Sequence, residues 1–268
     1  MVAEAVGEVV GDVLARMDPH PDIVVLLASG RYAAALGEVV PAVRTLLAPQ
    51  VLIGSDVPQV YGGSDERPSA DGLLLFASHL DTEEPVIPLR YDPAGQEAAW
   101  RTGDGSPIAA DGVCLTLTEP AYVSVDPPGR VIGAACSLGS GLILDDAGSL
   151  DGGVGIRFPP SAVEPFDAVL PVREDVAITA WDDEAGAHVT EHTVRLRGQP
   201  FDPGPGTGLL VFAARGAGSP MSQQSAMEIV FDRYGGAVAG ALAPAVRSPG
   251  NPVPAADRDR SICGLIVP

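Results

Sequence analysis

Lysine is absent from this chain: all sixteen basic side chains are arginine. That excludes Schiff-base chemistry on lysine and the phosphate-binding lysine of a P-loop. The basic side chains are also outnumbered, since 35 acidic residues leave a net charge of −19. Nucleic-acid binding needs a basic footprint, and none is present. Cysteine is scarce, with Cys114, Cys136 and Cys263 far apart and no Cys-x-x-Cys pair. A disulfide framework or a cysteine zinc site is therefore not expected, and a reducing compartment suits the chain best. Aromatic residues make up only 5% of the chain, so a core must come from Val, Leu, Ile and Ala. No apolar run reaches the length of a bilayer span; Ile23–Ala28 and 72–77 are among the longest. Residues 1–17 carry no basic stretch ahead of an apolar one, so no secretory leader is read there and a cytoplasmic location is expected.

Glycine and proline are abundant, at 32 and 26 residues. Together they exceed a fifth of the 268 residues, which calls for many turns and short elements. Apolar runs recur from end to end, so the chain has the means to fold.

Residues 2–17 place Val2, Val6, Val9, Val10, Val13, Leu14 and Met17 on one helical stripe, with Glu4, Glu8 and Asp12 opposite. Asp18-Pro19-His20-Pro21 ends that helix. Asp22–Ser29 reads as a buried strand, 32–48 as a helix kinked or divided at Pro41, and 51–57 as a second strand. A polar, glycine-bearing loop (61–71) leads to a third strand over 72–80. The C-terminal end repeats the order: strand 208–215, helix 220–234, strand 237–246, loop 247–260, strand 261–268. The middle gives a reduced copy, with strands near 112–119, 131–141, 141–146 and 152–158, and a short connection in place of the helix. Internal repetition organises the fold more firmly than any single motif. The expectation is an α/β protein with mixed sheets built from repeated β-(α)-β-loop-β units, an order that also suits two stacked sheets flanked by helices. Residues 166–200 look extended, with a hairpin arm in HVTEHTVRLRG, and DPGPGTG (202–208) is the best boundary. The implied organisation is 1–165, a connection over 166–207, and 208–268.

Several residue groups could carry chemistry. Ser55, Asp56, Tyr61, Gly62 and Gly63 follow the second strand of the first unit, where glycine lets backbone amides approach a ligand. Cys136-Ser137, in GAACSLGSG, is the best nucleophile candidate, which its small neighbours would leave accessible near a loop; the default reading of Cys136 is a buried structural cysteine. Arg215 ends a buried strand and could hold a carboxylate through its fork. Asn251 lies in the last unit's loop. Second strands equivalent in sequence should sit equivalently in space, so these loops are expected to converge on a small-molecule pocket. His188 and His192 sit four apart in an alternating stretch, about 13 Å along a strand, too far for one metal. His79 follows a strand and reads as a surface residue at a strand end. Trp181-Asp182-Asp183-Glu184 reads as a solvated hairpin tip. No metal and no cofactor are expected. No dinucleotide fingerprint, nucleophile elbow or phosphate loop is present, so no kinase, dehydrogenase or hydrolase activity is expected.

PDIVVLLASGRYAAALGEVVPAVRTLLAPQVLIGSDVPQVYGGSDE (21–66), GLILDDAGSLDGGVGIRF (141–158), GLLVFAARGAG (208–218) and GAVAGALAPAVRSPGNPV (236–253) together resemble the FIST family of bacterial signalling proteins, in its N-terminal and C-terminal halves. Ser55 stands where that family often has cysteine. Ala213-Ala214-Arg215-Gly216 replaces its cysteine before Gly-Arg-Gly. The resemblance implies a non-catalytic sensory or signal-transduction domain that binds a small molecule, anionic or amino-acid-like, with a protein partner to signal to and with neither nucleic acid nor membrane. Two other classes fit the same residues: a biosynthetic or hydrolytic enzyme on a degenerate scaffold, using Cys136 or a shape-selective pocket, and an assembly subunit without a pocket.

Overall fold

The computed structural model describes residues 2–62, 65–80, 82–94, 98–123, 125–136, 141–169, 178–182, 186–189, 192–193, 195–196, 199–200, 208–214, 237–243, 246–247 and 261–267. The first unit opens with helix α1 (Val2–Leu14), which ends three residues before the apolar stripe does. Strand β1 (Ile23–Ala28) is buried at every position, as a continuous apolar run demands. The helical segment divides into α2 (Arg31–Ala34) and α3 (Leu36–Leu47). The break falls at Ala35, and Pro41 is accommodated inside α3. A helix-interior proline costs about 3 kcal/mol. Burying Leu36, Val39, Val40, Val43 and Leu47 offsets it, because each such side chain contributes about 1.5–3 kcal/mol.

Strand β2 (Val51–Asp56) runs parallel to β1, from the pair Ile23 and Val51 to the pair Ala28 and Asp56. The loop expected over 61–71 is instead mostly a hairpin of β3 (Gln59–Gly62) and β4 (Asp65–Ser69). Strand β5 (Leu73–Ser78) returns antiparallel to β1. Strands β6 (Ile87–Tyr91) and β7 (Trp100–Thr102) come next, in a stretch where the sequence pattern had suggested no element.

The second unit repeats the plan: β8 (Val113–Thr118), a single 3-10 turn (Pro120–Tyr122), parallel β9 (Arg130–Ala135), β10 (Leu142–Leu144), β11 (Ala147–Leu150), β12 (Gly153–Phe158) antiparallel to β8, then β13 (Glu164–Val169). The stretch read as extended holds β14 (Ile178–Asp182), β15 (Gly186–Val189) and β16 (His192–Thr193) in one small sheet, and β17 (Arg195–Leu196) and β18 (Gln199–Pro200) in another. The third unit has β19 (Gly208–Ala214), parallel β20 (Ala237–Ala243), β21 (Val246–Arg247) and β22 (Ser261–Val267), the last antiparallel to β19. The helix expected over 220–234 lies outside the described residues.

The architecture is thus mixed α/β with repeated units, as the sequence pattern indicated. Its strands fall into three principal sheets of mixed orientation rather than two stacked ones. The chain beyond each second strand is not a free loop: it forms a strand given to another unit's sheet. β3 pairs with β20, β10 with β2, and β21 with β9, all antiparallel. The first unit therefore lends to the third, the second to the first and the third to the second. Strands on both sides of 166–207 share these sheets.

Equivalent positions carry glycine for a packing reason. Gly54 pairs with Leu26, Gly133 with Thr116 and Gly240 with Val211, one rung of the parallel pair in each unit. A Cβ on Gly54 would stand 2.8 Å from the Leu26 carbonyl oxygen, and one on Gly133 would stand 2.1 Å from that of Thr116. No other residue fits at Gly54 or Gly133.

The inner faces of the three sheets form one core, in which Val25 and Leu27, Leu115 and Leu117, and Leu210 and Phe212 occupy matching rungs. The outer face of the first sheet is covered by helices: Val24, Leu26 and Leu52 pack with Val6, Val10, Val39 and Val43. In the second unit the crossover is too short for a helix, and aromatic side chains take its place. Tyr91 lies 5.7 Å from Trp100 and 5.4 Å from Tyr122, centroid to centroid, in tilted contacts. The Trp100 indole N–H donates to the Val125 carbonyl at 2.7 Å. Among the described residues no helix is long and apolar enough to cross a membrane.

Candidate functional site

Parallel strand pairs end together, so β1 and β2 deliver Ser29, Ser55 and Asp56 to one end of their sheet, and β8 and β9 deliver Thr118, Glu119 and Cys136 to the matching end of theirs. Ser55 and Cys136 are both fully buried. They meet across the two units. The Ser55 hydroxyl donates to the Asp56 carbonyl oxygen at 3.1 Å, and its proximity to the Cys136 thiol favours the ionised form of that thiol, against the larger effect of burial. The Cys136 N–H donates to the Thr118 carbonyl at 2.6 Å, which continues the β8–β9 ladder by one rung.

Burial pushes the Cys136 thiol up to about 12, with the nearby Asp56 and Glu119 carboxylates adding to the rise. Cys136 is sealed in the core, as a buried structural cysteine rather than an accessible nucleophile, and at neutral pH it is a thiol. Cys114, on the other face of the second sheet, is likewise raised to about 12 by burial, and its sulfur reaches the Pro128 carbonyl at 3.6 Å. Neither thiol has the electropositive, exposed setting of a reactive cysteine.

Asp56 differs in kind. Its carboxyl group is raised to about 6, chiefly by burial. Its Oδ1 is shielded from solvent and accepts no hydrogen bond from any described residue. Thr118 Oγ1 is a second buried polar atom in that condition. A polar atom left without a partner in the interior costs about 1–3 kcal/mol, so such atoms call for an explanation. The Ser29 hydroxyl is fully used, donating to the Ser69 carbonyl at 2.9 Å and accepting from the Gly72 N–H at 2.9 Å, which ties β1 to the turn before β5.

Of the residues expected to converge, the structure brings together Ser55, Asp56 and Cys136. Tyr61 and Gly62 do not lie in a loop: both belong to β3 in the third sheet, with Tyr61 buried and opposite Gly240. Gly63, Ser137, Arg215 and Asn251 lie outside the described residues. His79 is exposed, and its Nε2 lies 3.0 Å from the Asp18 carbonyl oxygen, which joins the end of β5 to the turn after α1. His188 and His192 sit on the adjacent antiparallel strands β15 and β16, opposite Thr193 and Val189. Asp182 ends β14 opposite Gly186; Asp183 and Glu184 lie outside the described residues. Among the described residues no group of three His, Cys, Asp or Glu side chains could hold a metal. Thr118 and Glu119 were not legible as site residues, because the run VCLTLTE reads only as a strand. Their signal is positional: they come just after the rung matching Leu27, one unit on. No protein-family model matches the chain, and no curated protein matches it either.

Proposed function

We propose that the chain is a non-catalytic small-ligand-binding domain of the FIST type, with its site at the strand ends that carry Ser55, Asp56 and Cys136. The observation that carries this reading is the unpartnered Asp56 Oδ1, a buried acceptor held in a rigid strand end next to a serine hydroxyl. Such an acceptor suits a ligand donor, an ammonium or amide group. An amino-acid-like ligand would place its ammonium group at Asp56. Arg215 would hold its carboxylate through bidentate, charge-assisted bonds. A sensory role is consistent with the gain a ligand makes here, since a filled acceptor stabilises the bound state over the empty one.

Cys136 bears on the enzyme alternative. A thiol raised to about 12 and shut away from solvent is a poor nucleophile at neutral pH. The test is native mass spectrometry of the purified chain, followed by thermal-shift titration with a panel of amino acids and amines. Retained binding in Cys136→Ala with loss in Asp56→Asn supports the reading. Substrate turnover that Cys136→Ala abolishes would replace it with the enzyme reading. A chain that binds nothing in the panel but holds a stable protein partner would replace it with the assembly reading.

A further inference from the structure

The third strands of the three units, β5, β12 and β22, share one neighbour and differ in the other. Each pairs antiparallel with the first strand of its own unit. On its far side β12 carries β6, and β22 carries β13, both antiparallel. β5 has no such strand: among the described residues it is the edge of its sheet. The registers superpose. Phe76, Ile156 and Leu265 pair with Val25, Leu115 and Leu210, which are matching rungs. Opposite Ile156 stands Pro88, and opposite Leu265 stands Pro165. The added strands thus share a proline at one register, followed by a large apolar residue, Leu89 in one and Phe166 in the other.

Burial records the difference. β12, with β6 beside it, is buried at all six positions, whereas β5 buries only Leu74 and Phe76. Leu73, Leu75 and Ala77 stay partly in water, although they pack against the cluster formed by α1 and α3. An edge strand with partly wet leucines is a template for pairing.

We propose that the outer edge of β5 is a docking site for an extended segment of a partner protein, laid antiparallel with a proline opposite Phe76 and a large apolar residue after it. Main-chain hydrogen bonds to the edge would supply affinity, and the side-chain positions along the strand would supply selectivity. The proline has a reason to be there. It lacks an N–H, so it offers no donor at that rung; in β6 the pairing with the further strand β7 begins only at Leu89, just after Pro88. A second copy of this chain is the weaker occupant. β5 contains no proline to place opposite Phe76, and each copy carries a net charge of −19, which opposes close approach. The segment is neutral or basic for the same reason.

The probe is a capped synthetic peptide of residues 85–91, the chain's own β6 with the two residues before it and Arg90 as its one charge, added to the full chain. Saturable binding is expected, together with amide exchange across Leu73–Ser78 slowed about tenfold or more. The same residues in reversed order should not bind, and neither should the original peptide to a folded Ala77→Glu chain. Three results overturn the proposal. One is the absence of binding at millimolar peptide while the β5 amides exchange freely. Another is protection, already in the monomeric chain, of those β5 amides that point away from β1, which would mean that the chain covers its own edge. The last is a concentration-dependent dimer with β5 protected, which would assign the edge to a second copy.

Discussion

Ser55 and Cys136 belong to different repeat units, yet both are fully buried and the Ser55 hydroxyl sits beside the Cys136 thiol in the shared interior. The contact exists because β10 crosses from the second unit to pair with β2 of the first, which locks the two units side by side.

Cys136 should resist alkylation in the native state. Fully buried, with its pKa pushed up to about 12, it offers neither access nor thiolate. Peptide mapping after iodoacetamide at pH 8 should find Cys136 unmodified in the native chain and modified once the chain is unfolded. The same shift sets the alkaline limit of the fold. Both Cys114 and Cys136 have folded pKa values above the ordinary thiol value of 9.0. The stability tied to their protonated forms is present below that value and is lost as pH rises from about 9 toward about 12. Chemical denaturation at pH 8, 9.5 and 10.5 should show a falling midpoint, with a shallower fall in Cys114→Ala and Cys136→Ala.

Asp56→Asn should raise stability at neutral pH. The folded carboxyl group is raised from 3.8 to about 6, so the fold favours its protonated form. That contribution is present below the unfolded value of 3.8 and is lost as pH rises through about 6. The amide mimics the protonated group, and the gain at pH 7.5 should be about 1 kcal/mol once the partial exposure of Asp56 is allowed for. Below pH 4 the two proteins should denature alike. A variant that is more stable yet binds no ligand would separate the functional use of Asp56 from any structural one.

Glycine substitutions should divide sharply by position. Gly133→Ala drives a Cβ to 2.1 Å from the Thr116 carbonyl oxygen in the middle of a parallel pair, and should cost about 3 kcal/mol or more. Gly7 and Gly11 in α1 have nothing within 4 Å of the added carbon. Alanine at either should stabilise the chain by about 0.5–1 kcal/mol. Urea midpoints of the three single variants check this directly.

Trp100→Ala should be among the costliest changes in the second unit. The ring covers the outer face where the first unit uses helices, touches Tyr91 and donates to the Val125 carbonyl. A loss of about 3–5 kcal/mol is expected from truncation of a buried tryptophan. Trp100→Phe should recover part of it, since it restores the apolar cover and leaves only the carbonyl unpaired. Equilibrium unfolding of both variants measures the difference.

What the sequence by itself determined was local. The continuous apolar runs of β1 and β19, the apolar and threonine positions of β8, the glycine three residues into each following strand, and the order in which these elements recur can all be read along the chain, because each depends on its own side chains. What only the tertiary structure decided was pairing. β21 is two residues long and β4 reads DERPS, so neither carries an apolar alternation; β21 is a strand because distant β9 supplies its hydrogen bonds, and β4 because it pairs with β3, which distant β20 holds in place. The glycine-bearing loop after β2 became β3 for that reason, which took Tyr61 to another sheet. The seal over Cys136 is likewise built from several units at once. Ser55 and Asp56 could be singled out because polar residues at a strand end stand out against an apolar run. That Cys136 would meet Ser55 in the interior, and that among the described residues β5 would be the edge of its sheet where β12 and β22 are not, depended on which strands pair across the units, a long-range choice that no window of the sequence contains.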